Sequence, residues 1–164
     1  MQKKYIILGV IVALCTLAIV LASCIKTTQL SSGRCNISAD FNGDYTKTFT
    51  SNTTASTVTK TIAISLLASN AKPTDIVTFT IQLPLDITPG TYNMKDFSNQ
   101  PVTFGIVDNN QQIGYGADES GGFTFTITKS DATAIEGTFE GKMLEDGNSG
   151  KTCMAANGVF SAKY

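Results

Sequence analysis

From Thr57 onward, apolar side chains return at every second position. Val58, Ile62, Ile64 and Leu66 alternate with Thr59, Thr61 and Ser65, and Val77, Phe79, Ile81 and Leu83 alternate with Thr78, Thr80 and Gln82. Further along, Phe123, Phe125 and Ile127 alternate with Thr124, Thr126 and Thr128. Ile135, Phe139 and Met143 then alternate with Glu136, Thr138, Glu140 and Lys142. A period of two gathers each apolar set on one face of a half-buried strand, whereas a helix would scatter it. The 22 threonines after residue 23 reinforce the pattern, because β-branched side chains suit a pleated surface. Gly137 and Gly141 fall on the apolar face of their strand, which predicts strong bending or close packing there. No stretch beyond residue 24 has convincing helical amphipathicity.

Turn chemistry cuts the chain at short intervals. Asn42-Gly43, Ser69-Asn70, Pro89-Gly90, Asp108-Asn109-Asn110, Gly121-Gly122, Ser130-Asp131, Gly147 to Gly150 and Asn157-Gly158 are breakers of the expected types. The runs between most of them suit hairpins and leave little room for crossover helices. The expectation for residues 34–164 is a single all-β domain of about eight to ten antiparallel strands, arranged as a β-sandwich or a partly closed β-barrel.

The beginning of the chain is different material. Residues 1–23 hold 17 apolar side chains in 23, led by Lys3 and Lys4. A basic start followed by the apolar run Tyr5 to Val20 predicts a secretory signal. Leu21-Ala22-Ser23-Cys24 resembles the bacterial lipobox, in which small residues precede a cysteine that is acylated and becomes the new N-terminus. The alternative is an uncleaved anchor, since Tyr5 to Ser23 is just long enough to span a bilayer. Either reading puts the domain outside the cytoplasm. Several acyl chains on Cys24 would hold it firmly to a membrane. Residues 24–33 then read as the lipidated cysteine and a polar tether, with a reach on the order of 15 to 20 Å. Ile25 stands where an aspartate usually signals inner-membrane retention, so the outer membrane is the expected location.

Past residue 23 the chain carries 10 basic and 13 acidic side chains, a net charge of −3, and no histidine or tryptophan. That balance supplies no electrostatic drive toward nucleic acid. The absence of histidine removes Ser-His-Asp and Cys-His nucleophiles and His-ligated zinc. Nothing in the sequence calls for a cofactor, a catalytic residue or a metal.

The remaining candidates each have a plainer explanation. Cys35 and Cys153 form an even pair in an oxidising compartment and predict a disulfide between the first strand and the last hairpin. Closing so long a loop would contribute about 4 to 5 kcal/mol by chain entropy; the alternative is two buried thiols. Asp40, Asn42 and Asp44 alternate as the first ligands of a calcium loop do, yet Gly43 comes too early and Ser51 replaces the closing glutamate. A hairpin turn at Asn42-Gly43 explains the same residues. Asp118-Glu119 reads as a solvated loop. Glu136 and Glu140 share a strand face, but about 13 Å of strand separates them, too far for a glycosidase pair. Phe97, Phe104 and Tyr115 offer either a stacking surface or core. The alternating end Phe160, Ala162, Tyr164 suits an outer-membrane barrel strand too, although Val77 to Leu83 is short for a bilayer crossing.

Pro89-Gly90-Thr91-Tyr92, the stretch Gly122 to Gly141 and the final Asn157-Gly158-Val-Phe-Ser-Ala-Lys-Tyr164 together resemble the small uncharacterised lipoproteins of Bacteroidota. The resemblance implies an all-β surface lipoprotein and brings no catalytic residues. The expected function is a lipid-anchored, non-catalytic binding or envelope-assembly module for a peptide, a glycan or a neighbouring envelope protein. Its candidate surface is the loops Asn93 to Pro101, Asp108 to Gln112 and Ala117 to Gly122. A small apolar-ligand carrier and a carboxylate-dependent hydrolase are the alternatives.

Overall fold

The computed structural model describes residues 33–164, apart from 52–55, 61–62, 71–75, 98, 101 and 148. The predicted signal segment, the lipobox and the tether up to Ser32 lie outside the described residues; Gly33, the last tether residue, is described. Eleven strands form one antiparallel sheet: β1 (Arg34–Gly43), β2 (Lys47–Thr50), β3 (Ser56–Lys60), β4 (Ile64–Ser69), β5 (Val77–Leu83), β6 (Gly90–Asn93), β7 (Thr103–Asp108), β8 (Ile113–Ala117), β9 (Phe123–Ser130), β10 (Ala134–Glu145) and β11 (Thr152–Lys163). A 3-10 turn, Met94–Phe97, follows β6. The class is the one the alternation predicts. The count exceeds eight to ten because β2 and β6 have only four residues each, too few to show a period.

The main path through the sheet runs β2-β1-β11-β10-β8-β7-β5-β4-β3, with β9 on β10 and β6 on β9. One end returns toward the other: Gly33 bridges to Val58 in β3, and Cys35 N donates to Ser56 Oγ at 3.2 Å, which sets β3 against β1. The sheet therefore curls into a half-barrel in which β3, the last strand of the path, lies beside β1.

The branch point is β10. Its first half, Ile135 to Gly141, pairs with β9, and its end, Met143 to Glu145, pairs with β8. Gly141 makes the bend between them possible. Its φ of +140° disfavours any side chain, and a Cβ there would strike the Gly122 carbonyl. Gly137, on the same face, leaves room for the Thr126 carbonyl and the Phe160 ring, the close packing its position predicts.

The inward faces are those the alternation selects. Val58, Ile64, Leu66, Val77, Phe79, Ile81, Leu83, Phe123, Phe125, Ile127, Ile135, Phe139 and Met143 are all buried. Rings run through the middle in continuous contact: Phe41 to Phe79 (6.0 Å between centroids), Phe79 to Phe139 (5.1 Å), Phe139 to Phe104 (5.5 Å), Phe104 to Phe125 (5.0 Å) and Phe125 to Tyr92 (5.5 Å). Burying each phenylalanine stabilises the fold by about 1.5 to 3 kcal/mol, and each ring pair adds about 0.5 to 1.5 kcal/mol. Phenylalanine thus fills the interior that a carrier would keep open.

Most of the turn signals fall between strands. Asn157-Gly158 does not: it lies inside β11, as a bulge. Between Val159 and Ala156, β11 takes three steps against the two from Ser38 to Asp40 in β1, and it gains one residue on β10 in the same stretch. Asn157 takes the left-handed conformation (φ 52°), which an asparagine tolerates.

Candidate functional site

The strand registers place six short outward side chains in one row across the sheet. Thr50 pairs with Ser38, Ser38 with Val159, Val159 with Thr138, Thr138 with Thr126, and Thr126 with Thr91. The row crosses β2, β1, β11, β10, β9 and β6, and holds hydroxyls and one valine but no charge. At about 4.8 Å per strand it is about 24 Å long. Beside it, on the same face, run Thr48, Asp40, the Asn157 bulge, Glu140, Thr124 and Asn93.

Short side chains between longer ones make a trough. One part of it, about 370 Å³, is lined by Thr124, Phe125, Thr126, Thr138, Phe139, Glu140, Asn157, Gly158 and Val159. It continues over β1 into a smaller hollow of about 200 Å³ between Asn36, Ser38, Thr50 and Ser161. Gly158 lets β11 pack closely on β10 beneath the trough, because a Cβ there would meet the Phe139 carbonyl and ring. Two contacts fix the trough's walls. Asn157 Nδ2 donates to Asp40 Oδ2 at 3.0 Å, and Thr48 Oγ1 donates to Asp40 Oδ1 at 2.8 Å. Both hold the Asp40 carboxyl below the usual carboxylate range, the Asn157 bond contributing most. Thr91 and Thr126 share a hydroxyl hydrogen bond of 2.9 Å.

The three loops chosen from the sequence are not one surface. Asn93 to Pro101 and Ala117 to Gly122 meet: Asn93 Nδ2 donates to the Gly121 carbonyl at 2.9 Å. They border a groove of about 330 Å³ formed by Met94, Lys95, Phe97, Gln100, Val102 and Glu119. Asp108 to Gln112 is the tip of the β7–β8 hairpin, and β8 leads from it to Ala117, where the second loop begins at the strand's other end. Phe104 and Tyr115 are buried core, whereas Phe97 is half-buried, packing against Tyr92 and Phe125 on one side and lining the groove on the other.

Carboxylates serve the turns. Asp108 Oδ1 accepts from Asn110 N (3.0 Å), Asp118 Oδ1 from Ser120 N (2.9 Å) and Asp131 Oδ1 from Thr133 N (2.7 Å), each two residues ahead. This is the Asx-turn, in which the side chain imitates a backbone acceptor. Asp108 is buried, and its Oδ2 also accepts from Tyr45 Oη at 3.0 Å and Lys47 Nζ at 3.3 Å. Hydrogen bonds from Ser120 and Thr133 hold the Asp118 and Asp131 carboxyls below their ordinary range, the opposite of a general acid's requirement. Of the calcium-like trio, Asp40 is engaged as described and Asp44 Oδ2 accepts from Thr152 N at 2.8 Å. Asn42 and Gly43 close β1 before the turn into β2. Asp118-Glu119 splits between a turn and a groove wall. Glu136 and Glu140 both lie on the outward face of β10, and no group of three or more Asp, Glu, Cys or His that could hold a metal occurs among the described residues.

The predicted Cys35–Cys153 disulfide is corrected by the register. Cys35 pairs with Ala162, whereas Cys153 pairs with Gly43, eight steps further along β1. That is about 26 Å of strand, against a Cα separation of at most about 7 Å for a bridge. Both thiols are free and buried. Cys35 Sγ donates to the Leu67 carbonyl at 3.4 Å, and burial pushes the Cys153 thiol up to about 11.

The sheet-face trough escaped sequence reasoning because its members sit as far apart as residues 38 and 159. The signal available was the run of threonines opposite each phenylalanine. Comparison with known protein families, with curated proteins and with solved structures finds no match.

Proposed function

We propose that the chain is a non-catalytic binding or assembly module, held at a bacterial cell envelope by acyl chains on Cys24. The carrying observation is where space is found among the described residues: rings fill the interior, and grooves open on the outer face. A carrier of apolar ligands needs the reverse arrangement. A hydrolase needs a carboxylic acid with a raised pKa, whereas Asp40 is lowered by Asn157 and Thr48, and Asp118 and Asp131 by their own turns. The Leu21 to Cys24 lipobox supports the anchor, Ile25 supports the outer membrane, and the resemblance to small Bacteroidota lipoproteins supports both.

Two experiments test this. Intact-mass analysis of membrane-extracted protein is expected to show a chain starting at an acylated Cys24; an unmodified N-terminus refutes the anchor. Crosslinking in the native envelope is expected to capture a partner through the β9–β10–β11 face. Loss of no crosslink on mutating that face refutes its role. Protease treatment of intact cells then reports whether the domain faces the periplasm or the exterior.

A further inference from the structure

Resting on the binding-module reading, we propose that the trough across β9, β10, β11 and β1 takes a neutral glycan chain lying perpendicular to the strands. The first reason is free hydrogen-bonding capacity. Thr124, Thr138 and Glu140 line the trough and make no side-chain hydrogen bond among the described residues. Alcohols and a carboxylate on an open surface suit a ligand that is itself rich in hydroxyls, each of which both donates and accepts.

The second reason is charge. The central row is uncharged along its whole length, which gives a sulfated or uronic-acid chain no cation to pair with there. Asp40 and Glu140 beside it would repel such a chain. The third is backbone pairing. Over the trough β10 and β11 are bonded on both edges, so an extended peptide cannot join the sheet as an extra strand and would meet side chains alone. The fourth is period. Neighbouring strands present one short side chain about every 4.8 Å, close to the length of one linked pyranose unit. Val159, 49% exposed in the middle of the row, gives the C–H face of a sugar ring an apolar rest. With no aromatic ring on this row, affinity comes from hydrogen bonds, and weak multivalent binding is the expected regime.

The test uses the full chain, solubilised in mild detergent and run on native gels cast with dextran, mannan, xylan or dextran sulfate. At least one neutral polysaccharide is expected to retard the protein, and dextran sulfate is not. Thr138→Arg puts a long cation into the trough from an exposed position and should abolish retardation with an unchanged circular dichroism spectrum. Glu140→Ala should weaken it about tenfold, the loss of one charge-assisted hydrogen bond. Failure of every neutral polysaccharide, retardation by dextran sulfate alone, or unaltered binding by Thr138→Arg overturns the proposal. A photo-crosslinking amino acid in place of Thr138, activated in the native envelope, separates the two readings. Crosslinks to protein with no polysaccharide binding overturn the glycan inference and leave a binding module. No crosslink and no polysaccharide binding overturn both.

Discussion

Replacing Phe139 by alanine removes the ring at the centre of the interior. Phe139 touches Phe79 (5.1 Å), Phe104 (5.5 Å), Phe123 (6.0 Å) and Phe160 (6.4 Å) and is 2% exposed. Neighbours on four strands cannot all close in on the vacancy, so the upper part of the Phe→Ala range applies, about 4 to 5 kcal/mol. That is a large share of the about 5 to 15 kcal/mol available to a domain of this size. With a urea slope of about 1.5 to 2 kcal/mol per M, the unfolding midpoint should fall by about 2 to 3 M. The neighbouring substitution Glu140→Ala, one residue on and facing the opposite way, should move it by no more than about 0.5 kcal/mol. Both are read by urea denaturation of residues 25–164, following far-ultraviolet circular dichroism. A Phe139→Ala cost below about 1.5 kcal/mol, or a larger cost at Glu140, would refute the assignment of faces and with it the filled interior.

Acid should destabilise the domain. Asp40, Asp118 and Asp131 have folded pKa values lowered by hydrogen bonds from Asn157, Ser120 and Thr133, so their stabilisation is complete above the unfolded value near 4 and drains away as pH falls through the folded values. Asp131→Asn keeps an acceptor but cannot titrate, and should flatten the fall in urea midpoint between pH 5 and 2 of roughly that window; an unchanged slope would count against the turn's role. Thiol counting on residues 25–164 should find two reactive groups in denaturant without any reductant and almost none in the folded state near pH 8, because burial raises both thiols. A requirement for reductant would restore the disulfide. Gly137→Ala should cost about 1 to 3 kcal/mol by driving a methyl group against the Thr126 carbonyl and the Phe160 ring, and a neutral result would mean β9 and β11 approach less closely than described.

What alternation can report is which face of a strand is buried, and it did so for β5, β9 and β10 because each repeats its period three times or more. It could not report β2, where Phe49 is the single inward residue, or β6, whose four residues have no buried member. Nor does it carry register. Whether Cys35 lies opposite Cys153 or opposite Ala162 depends on a pairing between strands more than a hundred residues apart, and the same ignorance hides the row from Thr50 to Thr91. Asn157-Gly158 shows a further limit: one pair of residues serves a hairpin turn or a bulge equally well, and its neighbours on β1 and β10 decide which.

The placing of β1 beside β11 has a consequence for timing. β1 acquires its long partner only when Thr152–Lys163, more than a hundred residues further along the chain, has been made. Until then Ile37, Ala39 and Phe41 have no β11 to pack beside, and β10 lacks the neighbour that shares its longest edge. Contacts this distant along the chain favour folding in milliseconds to seconds over the microseconds typical of local structure. A nascent chain therefore keeps the facing edges of β1 and β10 unpaired, and the half-barrel open along that seam, for as long as β11 is missing.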